Sequence, residues 1–394
     1  MASGLRAKLN AMKAASQGAT PAPHEPARPS GVLVRSSRAP LDPAIYDLSP
    51  VGLRRMGWSA GRFDVRRCLF IDTETTGLSG GAGTVAFLVG VGFVDGETFV
   101  IEQYLMREYA DEPELIDRLA SRMAGFDCVC SFNGKNFDLP LLEARFTMCR
   151  MRQRWREWDN LDLLHPARRA WKLRIGSCRL SRIETEILGM SREDDLPGSE
   201  VPQRYFEYLK TGDESLLEDI IEHNRQDIAT LATLLVKLCE INARPERLTD
   251  QRDLFSMGRS LERQGEMKPA RELYRVSAMP RPAGTLAALT GERIAGMANW
   301  RQYHILRRSG DDDGAIRVLE QMIARRQMPG QACVALAKLY EHWKRDFARA
   351  LEYAEMAKKY PDAEPAEEIE RRLARLRGKL DAQREAGRQR HGLI

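Results

Sequence analysis

Two kinds of hydrophobic patterning divide the chain. Short continuous apolar runs separated by polar turns predict buried strands over residues 68–72, 84–94, 98–106, 127–132 and 161–164. Apolar residues spaced three and four positions apart predict helices over residues 112–123, 139–151 and 214–241. Because three strands come first and helices then alternate with strands, the predicted fold class is α/β, a mixed sheet flanked by helices.

After residue 245 the pattern is helical, with no convincing strand. Residues 254–278 predict a helix pair that turns at Gly265, and residues 332–360 predict a comparable pair. Small residues at the helix crossings and a unit length of ~34 residues resemble tetratricopeptide repeats, with an ordinary helical bundle as the alternative. The densely charged residues 364–390 predict a solvated helix.

These patterns divide the sequence into four predicted units. Residues 1–42, rich in Ala, Pro, Ser and Arg, predict a disordered basic arm, although an organellar transit peptide has a similar composition. Residues 43–243 are the α/β domain and residues 244–363 the all-α repeat domain. Residues 364–394 are a charged helix or tail.

The composition excludes several classes of protein. With 394 residues, 43% hydrophobic and 30% charged, the chain is too apolar for disorder throughout and too long for a small disulfide scaffold. No apolar run reaches the ~18 residues of a membrane helix, so no membrane partner is expected. The seven cysteines form no CxxC pair, which predicts a reducing, cytoplasmic setting. A phosphate-binding P-loop is absent, so no nucleotide cofactor is expected.

Positive charge is concentrated in two segments. Residues 1–40 hold six Lys or Arg against one acid, Glu25, and so account for the net charge of +5. Residues 145–182 hold eleven Lys or Arg against three acids, an excess of +8. Clustered positive charge predicts a polyanion partner, with a solvated helix face as the alternative.

Acidic residues at three places form the candidate catalytic site. Asp72 and Glu74, in DTETTG, are two residues apart on an extended chain, so their side chains point to the same side. Asp138 lies in FNGKNFD, where a strand passes through a polar loop into a helix. Asp227 lies on the polar side of the long helix, with His223 one turn earlier on the same face. Converging carboxylates repel unless a cation lies between them, and oxygen ligands favour Mg²⁺ or Mn²⁺.

These motifs resemble a known family. The succession of DTETTG, FNGKNFD and a helix with His or Tyr four residues before Asp is similar to the three exonuclease motifs of the DEDD superfamily, on the ribonuclease-H-like fold. LSGGAGTVAFLVG at 78–90, DLLHPARRAW at 162–171 and the helical C-terminal units add a likeness to YprB-type ribonuclease-H-like proteins. The resemblance covers residues 65–240 strongly and the C-terminal third loosely.

The resemblance implies a role for each acid. Asp72, Glu74, Asp138 and Asp227 would hold two divalent metal ions, Mg²⁺ or Mn²⁺, for phosphodiester hydrolysis. His223 departs from the family pattern, in which Tyr stands four residues, or His five residues, before the last Asp. On the same helix face the imidazole could still orient or deprotonate the attacking water, and a polar group without a kinetic role is the alternative.

A second set of residues is predicted to bind nucleic acid, partly in the motifs and partly in a basic run whose Arg side chains could grip phosphates. The set is Thr75, Asn133, Lys135, Asn136, Arg168, Arg169, Lys172 and Arg174. For the asparagines a simple turn is the alternative. Trp155, Trp158 and Trp171 could stack on unpaired bases, with core packing as the alternative for at least one. For Asp162 two roles are weighed equally: support of the metal-binding residues without contact to the metal, or capping of a helix.

Three functions fit these observations. The first is a 3′→5′ exonuclease on single-stranded DNA or RNA, implied by the complete set of acids. The second is a catalytically silent scaffold that binds nucleic acid, or a protein partner through the helical repeats. The third is a structure-specific endonuclease with the same acids. The sequence does not distinguish ribose from deoxyribose substrates.

Overall fold

A mixed β-sheet forms the framework of the N-terminal part of the chain. In this computed structural model, which describes residues 31–77, 83–152, 155–190, 196–280 and 286–391, the strands are β1 (Val32–Ala39), β2 (Cys68–Thr75), β3 (Ala86–Asp95), β4 (Thr98–Met106), β5 (Cys128–Ser131) and β6 (Asp159–Asp162). Their order is β1-β4-β3-β2-β5-β6. The pairs from β1 to β2 are antiparallel, whereas β5 and β6 continue from β2 in parallel.

Helices cover both faces of this sheet. They are α1 (Pro50–Met56), α2 (Glu112–Met123), α3 (Asp138–Met148), α4 (Leu164–Ile175), α5 (Leu180–Ile183), α6 (Val201–Thr211) and α7 (Ser215–Ala243). The long helix α7 packs across β2, β3 and β4 and also contacts α1. The predicted fold class, a mixed sheet flanked by helices, is confirmed.

The alternation of side chains along β2 decides which groups reach which face. Phe70 belongs to the buried layer that includes the apolar side of α7, whereas Leu69 and Ile71 belong to the layer on the opposite face. Asp72 and Glu74 continue the even-numbered series of Phe70. They therefore lie on the face that α7 covers.

The remaining described chain forms helices and contains no strand. These helices are α8 (Gln251–Arg263), α9 (Met267–Ser277), α10 (Leu286–Arg308), α11 (Asp312–Ala324), α12 (Pro329–Leu339), α13 (Phe347–Ala357) and α14 (Ala366–His391). Each packs on the next one along the chain. The predicted pair with its turn at Gly265 is present as α8 and α9. Gly258 allows the pair to pack closely, because a Cβ there would lie 2.8 Å from Tyr274 Cε1.

The all-α part shares its first core with the sheet domain. One buried cluster joins Phe70 of β2 and Trp171 of α4 to Phe255 of α8 and Tyr274 of α9. The predicted domain boundary at residue 243 thus falls between helices whose side chains pack in one core. An all-α C-terminal region is confirmed, while its assignment to tetratricopeptide repeats stays a prediction. None of the helices in the described ranges has the length and apolar character needed to cross a membrane.

Three predicted segments differ from the structure. Residues 32–39 fall in the predicted disordered arm but form β1, because pairing with β4 over its full length supplies hydrogen bonds that no local pattern reveals. Residues 1–30 lie outside the described residues. The last strand is Asp159–Asp162, two residues earlier than predicted. Helix α14 is not solvated all round, since Ile369, Leu373 and Leu376 are buried against the preceding helices.

Candidate active site

Acidic side chains from three elements lie near the carboxyl end of β2, an inner strand of the sheet. Asp72 and Glu74 lie at the end of β2, and Asp138 begins α3 shortly after β5, the parallel neighbour of β2. Asp227 comes from α7. His223 Nε2 lies 3.8 Å from Glu74 Oε1 and 3.9 Å from Asp227 Oδ2, so the imidazole lies between two of the carboxylates.

Burial and neighbouring negative charges shift the pKa values of two of the four carboxylates. Removal from water raises the pKa of Asp72 well above its usual value, and the negative charges of Asp227, Asp138 and Glu74 raise it further. Removal from water also raises the pKa of Asp138 to about 6, against the effect of a hydrogen bond from the Thr73 hydroxyl. The acids therefore carry negative charge that the protein itself compensates only in part.

A buried network of side-chain amides supports Asp72. It was not predicted from the sequence. Asn224 is fully buried; its Nδ2 donates to Asp72 Oδ2 at 2.9 Å, and its Oδ1 accepts from Gln103 Nε2 at 2.9 Å. Gly90 on β3 leaves the space for this amide, because a Cβ there would lie 2.1 Å from Asn224 Oδ1. An Asn between His223 and Asp227 within an apolar helix was the one signal that the sequence offered.

The loop before Asp138 is held by Asp162 at the end of β6. Asp162 Oδ1 accepts from the backbone N–H groups of Asn133 at 2.9 Å and Leu164 at 3.0 Å, and Oδ2 accepts from that of Lys135 at 3.3 Å. The Asp162 side chain thus bonds to the first turn of α4 and also fixes the loop that leads to Asp138. A Cβ at position 134 would lie only 2.6 Å from the Ser131 Cβ, so glycine fits at this position of the loop.

The segment that supplies all four acids matches a known family. Residues 69–239 match the family model described as the RNase_H superfamily. These residues are similar to the RNase H superfamily. The match runs from β2 to α7 and leaves out β1, α1 and the whole all-α region.

Two known proteins resemble longer parts of the chain. Over 334 residues the chain is 28% identical to the uncharacterized protein YprB of Bacillus subtilis (strain 168), covering 82% of this chain and 78% of YprB. The predicted likeness to YprB is confirmed. The family B DNA polymerase of Pyrobaculum calidifontis superposes with a TM-score of 0.36 and 16% identity, over 52% of this chain and 30% of the polymerase. At that TM-score no property of the polymerase is carried over.

The donor set of the RNase H-like domain suits a hard divalent cation. Four carboxylates offer oxygen ligands, and the raised pKa of Asp72 reflects negative charge that a cation would neutralise. Within the described ranges, however, no three His, Cys, Asp or Glu side chains lie close enough together to enclose one ion as they stand. Ion binding would therefore require these carboxylates to rotate toward a common point.

The basic residues of α4 are divided between solvent and internal contacts. Arg168 and Lys172 are exposed. Arg169 Nη2 donates to the Met56 carbonyl at 2.8 Å, and Arg174 Nε lies 3.3 Å from Oδ2 of the buried Asp253 on α8. The structure thus brings Arg174 to an internal carboxylate.

The other predicted nucleic-acid ligands lie close to Glu74 and Asp138 along the chain. The Thr75 hydroxyl is buried and donates to the Gly77 carbonyl at 2.8 Å. Lys135 and Asn136 are exposed, and Asn133 adopts a φ of 69°, as in a turn. Nucleic-acid binding by these residues stays a prediction.

The predicted tryptophans differ in burial. Trp171 is fully buried in the core, which confirms the core alternative for it. Trp158 is partly buried against the cluster that contains Leu69 and Ile71. Gly80 and Gly81 of the LSGGAGTVAFLVG segment lie outside the described residues.

Gly90→Ala is expected to impair both folding and activity. The new methyl group would displace Asn224 and break its hydrogen bond to Asp72, at a cost of about 1–3 kcal/mol in the free energy of unfolding and about tenfold in metal-dependent activity. Chemical denaturation and initial rates would measure the two effects. Gly125→Ala is the matched control, because a Cβ at Gly125 meets no atom within 4 Å. Equal behaviour of the two variants would refute the role of Asn224.

Proposed function

We propose that this protein is a divalent-metal-dependent nuclease, specifically a 3′→5′ exonuclease acting on single-stranded DNA or RNA. The observation that carries this proposal is the convergence of four carboxylates from β2, α3 and α7 in an RNase H-like domain. Its direction and its single-strand preference follow from the likeness of DTETTG, FNGKNFD and the helix motif to DEDD exonucleases.

Each residue of the site has a task in this reaction. Asp72, Glu74, Asp138 and Asp227 would hold two ions, Mg²⁺ or Mn²⁺, which supply a metal-activated water and neutralise charge on the scissile phosphate. Asn224 orients the Asp72 carboxylate through its hydrogen bond. The Thr73 hydroxyl, which lies 2.5 Å from Asp138 Oδ1, orients Asp138 in the same way.

His223 is the group placed to move a proton. Its Nε2 lies 3.8 Å from Glu74 Oε1 and 3.9 Å from Asp227 Oδ2, so a water bound by these acids would be beside it. As a general base it would accept the proton of the attacking water at Nε2.

Two kinds of partner are proposed. Nucleic acid is the substrate, and the all-α region is proposed to bind a protein partner. A cytoplasmic location agrees with seven free cysteines, six of them buried.

The decisive experiment is a cleavage assay with end-labelled single-stranded and duplex DNA and RNA in Mg²⁺ or Mn²⁺. We expect products that shorten from the 3′ end and disappear with EDTA or in the Asp72→Ala/Asp227→Ala variant. Glu240→Gln, which removes an exposed carboxylate from the same helix, is the control and should cleave normally. Discrete internal cuts would instead indicate an endonuclease. Binding without cleavage of any substrate would indicate a scaffold.

His223→Phe is expected to lower kcat by about 10²-fold, because the variant has no group to accept the proton of the water. Its rise in Tm with Mn²⁺ should match that of the wild type, since the four carboxylates remain. Single-turnover kinetics and thermal unfolding would measure the two quantities. A kcat within about threefold of the wild type would contradict the general-base role, and higher activity in His223→Tyr would show that the imidazole impairs the site.

A further inference from the structure

A cavity rich in arginine lies between the RNase H-like domain and the first helical pair. Its volume is about 650 Å³, and the end of α1, helix α4 and the end of α8 contribute its walls. Four guanidinium groups line it, those of Arg54, Arg55, Arg169 and Arg263, against the single carboxylate of Glu266. The lining therefore carries a net charge of +3.

The carboxylate of Glu266 already forms an ion pair with Arg55. Arg55 binds Glu266 through two hydrogen bonds, Nη2 to Oε2 at 2.6 Å and Nε to Oε1 at 2.9 Å, and its Nη1 donates to the Asn242 carbonyl at 2.8 Å. Among the residues that the structure describes, no carboxylate forms a salt bridge with Arg54, Arg169 or Arg263. Arg55 and Glu266 thus build the wall. Hydrogen bonds from Arg55 lower the pKa of Glu266 and the positive charge of Arg54 also helps to lower it, but one carboxylate cannot balance four guanidinium groups, and the lining keeps its net charge of +3.

The like charges affect one another. Burial lowers the pKa of Arg169, and the positive charge of Arg263 lowers it further. Within the part of the chain that the structure describes, the Arg169 guanidinium makes one hydrogen bond, from Nη2 to the Met56 carbonyl at 2.8 Å. An anion in the cavity would relieve this repulsion and would accept hydrogen bonds from the remaining N–H groups of Arg169.

We propose that this cavity binds a backbone phosphate of a nucleic-acid strand through Arg54, Arg169 and Arg263. Guanidinium groups match the oxygens of a phosphate with paired N–H donors, and several of them around one anion offset the charge on its oxygens. Arg54 and Arg263 lie outside every motif of the sequence analysis. Helices α1 and α8 bring them to Arg169.

A neighbouring cavity favours a strand over a free phosphate compound. It has a volume of about 720 Å³ and shares Arg54 with the first cavity. Its lining includes Trp58, Phe63, Arg62 and Arg66, and also the carboxylates Asp47 and Asp64, so its three arginines keep a net charge of +1. Aromatic rings beside cations are typical of surfaces that stack the bases of single strands and hold their phosphates. The choice of nucleic acid as the source of the phosphate rests on the proposed function, whereas the anion site itself does not.

The test is a binding titration of the full chain with fluorescein-labelled single-stranded DNA and RNA 20-mers in EDTA, where no cleavage occurs. Arg54→Gln/Arg263→Gln removes two exposed side chains that have no ion pair among the described residues. We expect about tenfold weaker binding, and a plot of log K against log salt that is less steep by about 1.4, or about 0.7 for each arginine that no longer neutralises a phosphate. Arg275→Gln/Arg371→Gln, which removes two exposed arginines elsewhere, should bind within about twofold of the wild type.

The possible results separate this site from the proposed nuclease function. Equal binding by the two double variants, with binding by the wild type intact, would overturn the phosphate site and leave the nuclease proposal standing. Absence of binding by the wild type would overturn both. Calorimetry with inorganic phosphate and with AMP distinguishes the source of the phosphate. If the first double variant loses only these small ligands and keeps the oligonucleotides, the cavity serves free phosphate compounds and the strand is excluded.

Discussion

Asp72→Asn is expected to reduce metal-dependent cleavage by about 10³-fold or more without destabilising the metal-free protein. Loss of one ligand removes several kcal/mol of charge stabilisation in the transition state, and about 1.4 kcal/mol corresponds to a factor of ten. The metal-free fold should not suffer, because Asp72 is removed from water among three other acids that repel its charge. An amide keeps the shape of the side chain and can still accept the hydrogen bond from Asn224.

Initial rates with Mn²⁺ and thermal unfolding in EDTA would measure the two quantities side by side. The wild type should gain stability with Mn²⁺, and Asp72→Asn should lose most of that gain. Glu240→Gln again serves as the matched carboxylate-to-amide control on α7. A variant that cleaves within tenfold of the wild type would remove Asp72 from the set of ligands, and a large fall of Tm in EDTA would show that its charge supports the fold.

Glu341→Gln is expected to cause the largest loss of stability, about 3 kcal/mol at pH 7. The Glu341 side chain is fully buried between α12 and α13, and its carboxylate accepts from Arg375 Nε at 2.8 Å and Lys379 Nζ at 2.8 Å, both on α14. Burial raises the pKa of Glu341, but hydrogen bonds from Arg375 and Lys379 outweigh this effect and lower the pKa to about 2. Breaking a buried ion pair from one side is strongly destabilising.

The sign of the pH dependence follows from this lowered pKa. The unfolded chain takes up a proton on Glu341 near pH 4.5 and the folded chain near pH 2, so the ion pairs stabilise the fold fully above about pH 4.5. Their contribution is lost as the pH falls from about 4.5 to about 2. Denaturant titrations should therefore show a difference between wild type and Glu341→Gln that is largest at neutral pH and shrinks in acid.

An exposed ion pair between α13 and α14 provides the control. Glu355 Oε1 lies 3.0 Å from Arg377 Nη2, with about half of each side chain exposed. Glu355→Gln should cost no more than about 1 kcal/mol, because solvent screens the pair. Equal losses for the two variants would show that burial of Glu341 contributes nothing to the docking of α14.

Local pattern was enough for the elements that carry the acids. The predicted helix 112–123 and the predicted strand 98–106 have the bounds of α2 and β4. The apolar residues of α2 recur at the helical period, and those of β4 form a nearly continuous run. The pairing of Asp72 with Glu74 on one side of β2 was also predictable, since alternation along a strand is a local property. The sequence by itself thus determined the fold class, the four acids and His223 as candidates.

Tertiary structure alone decided the contacts between distant segments. Asn224 and Asp72 are 152 positions apart, and their hydrogen bond exists because α7 crosses β2 and because Gly90 on β3 leaves room for the amide. Likewise β1 forms only against β4, and Arg54 and Arg263 approach Arg169 only when the helical pair packs on the RNase H-like domain. The physical reason is the same in each case: hydrophobic periodicity records which side of an element is buried, whereas the partner on that side is set by how the elements pack.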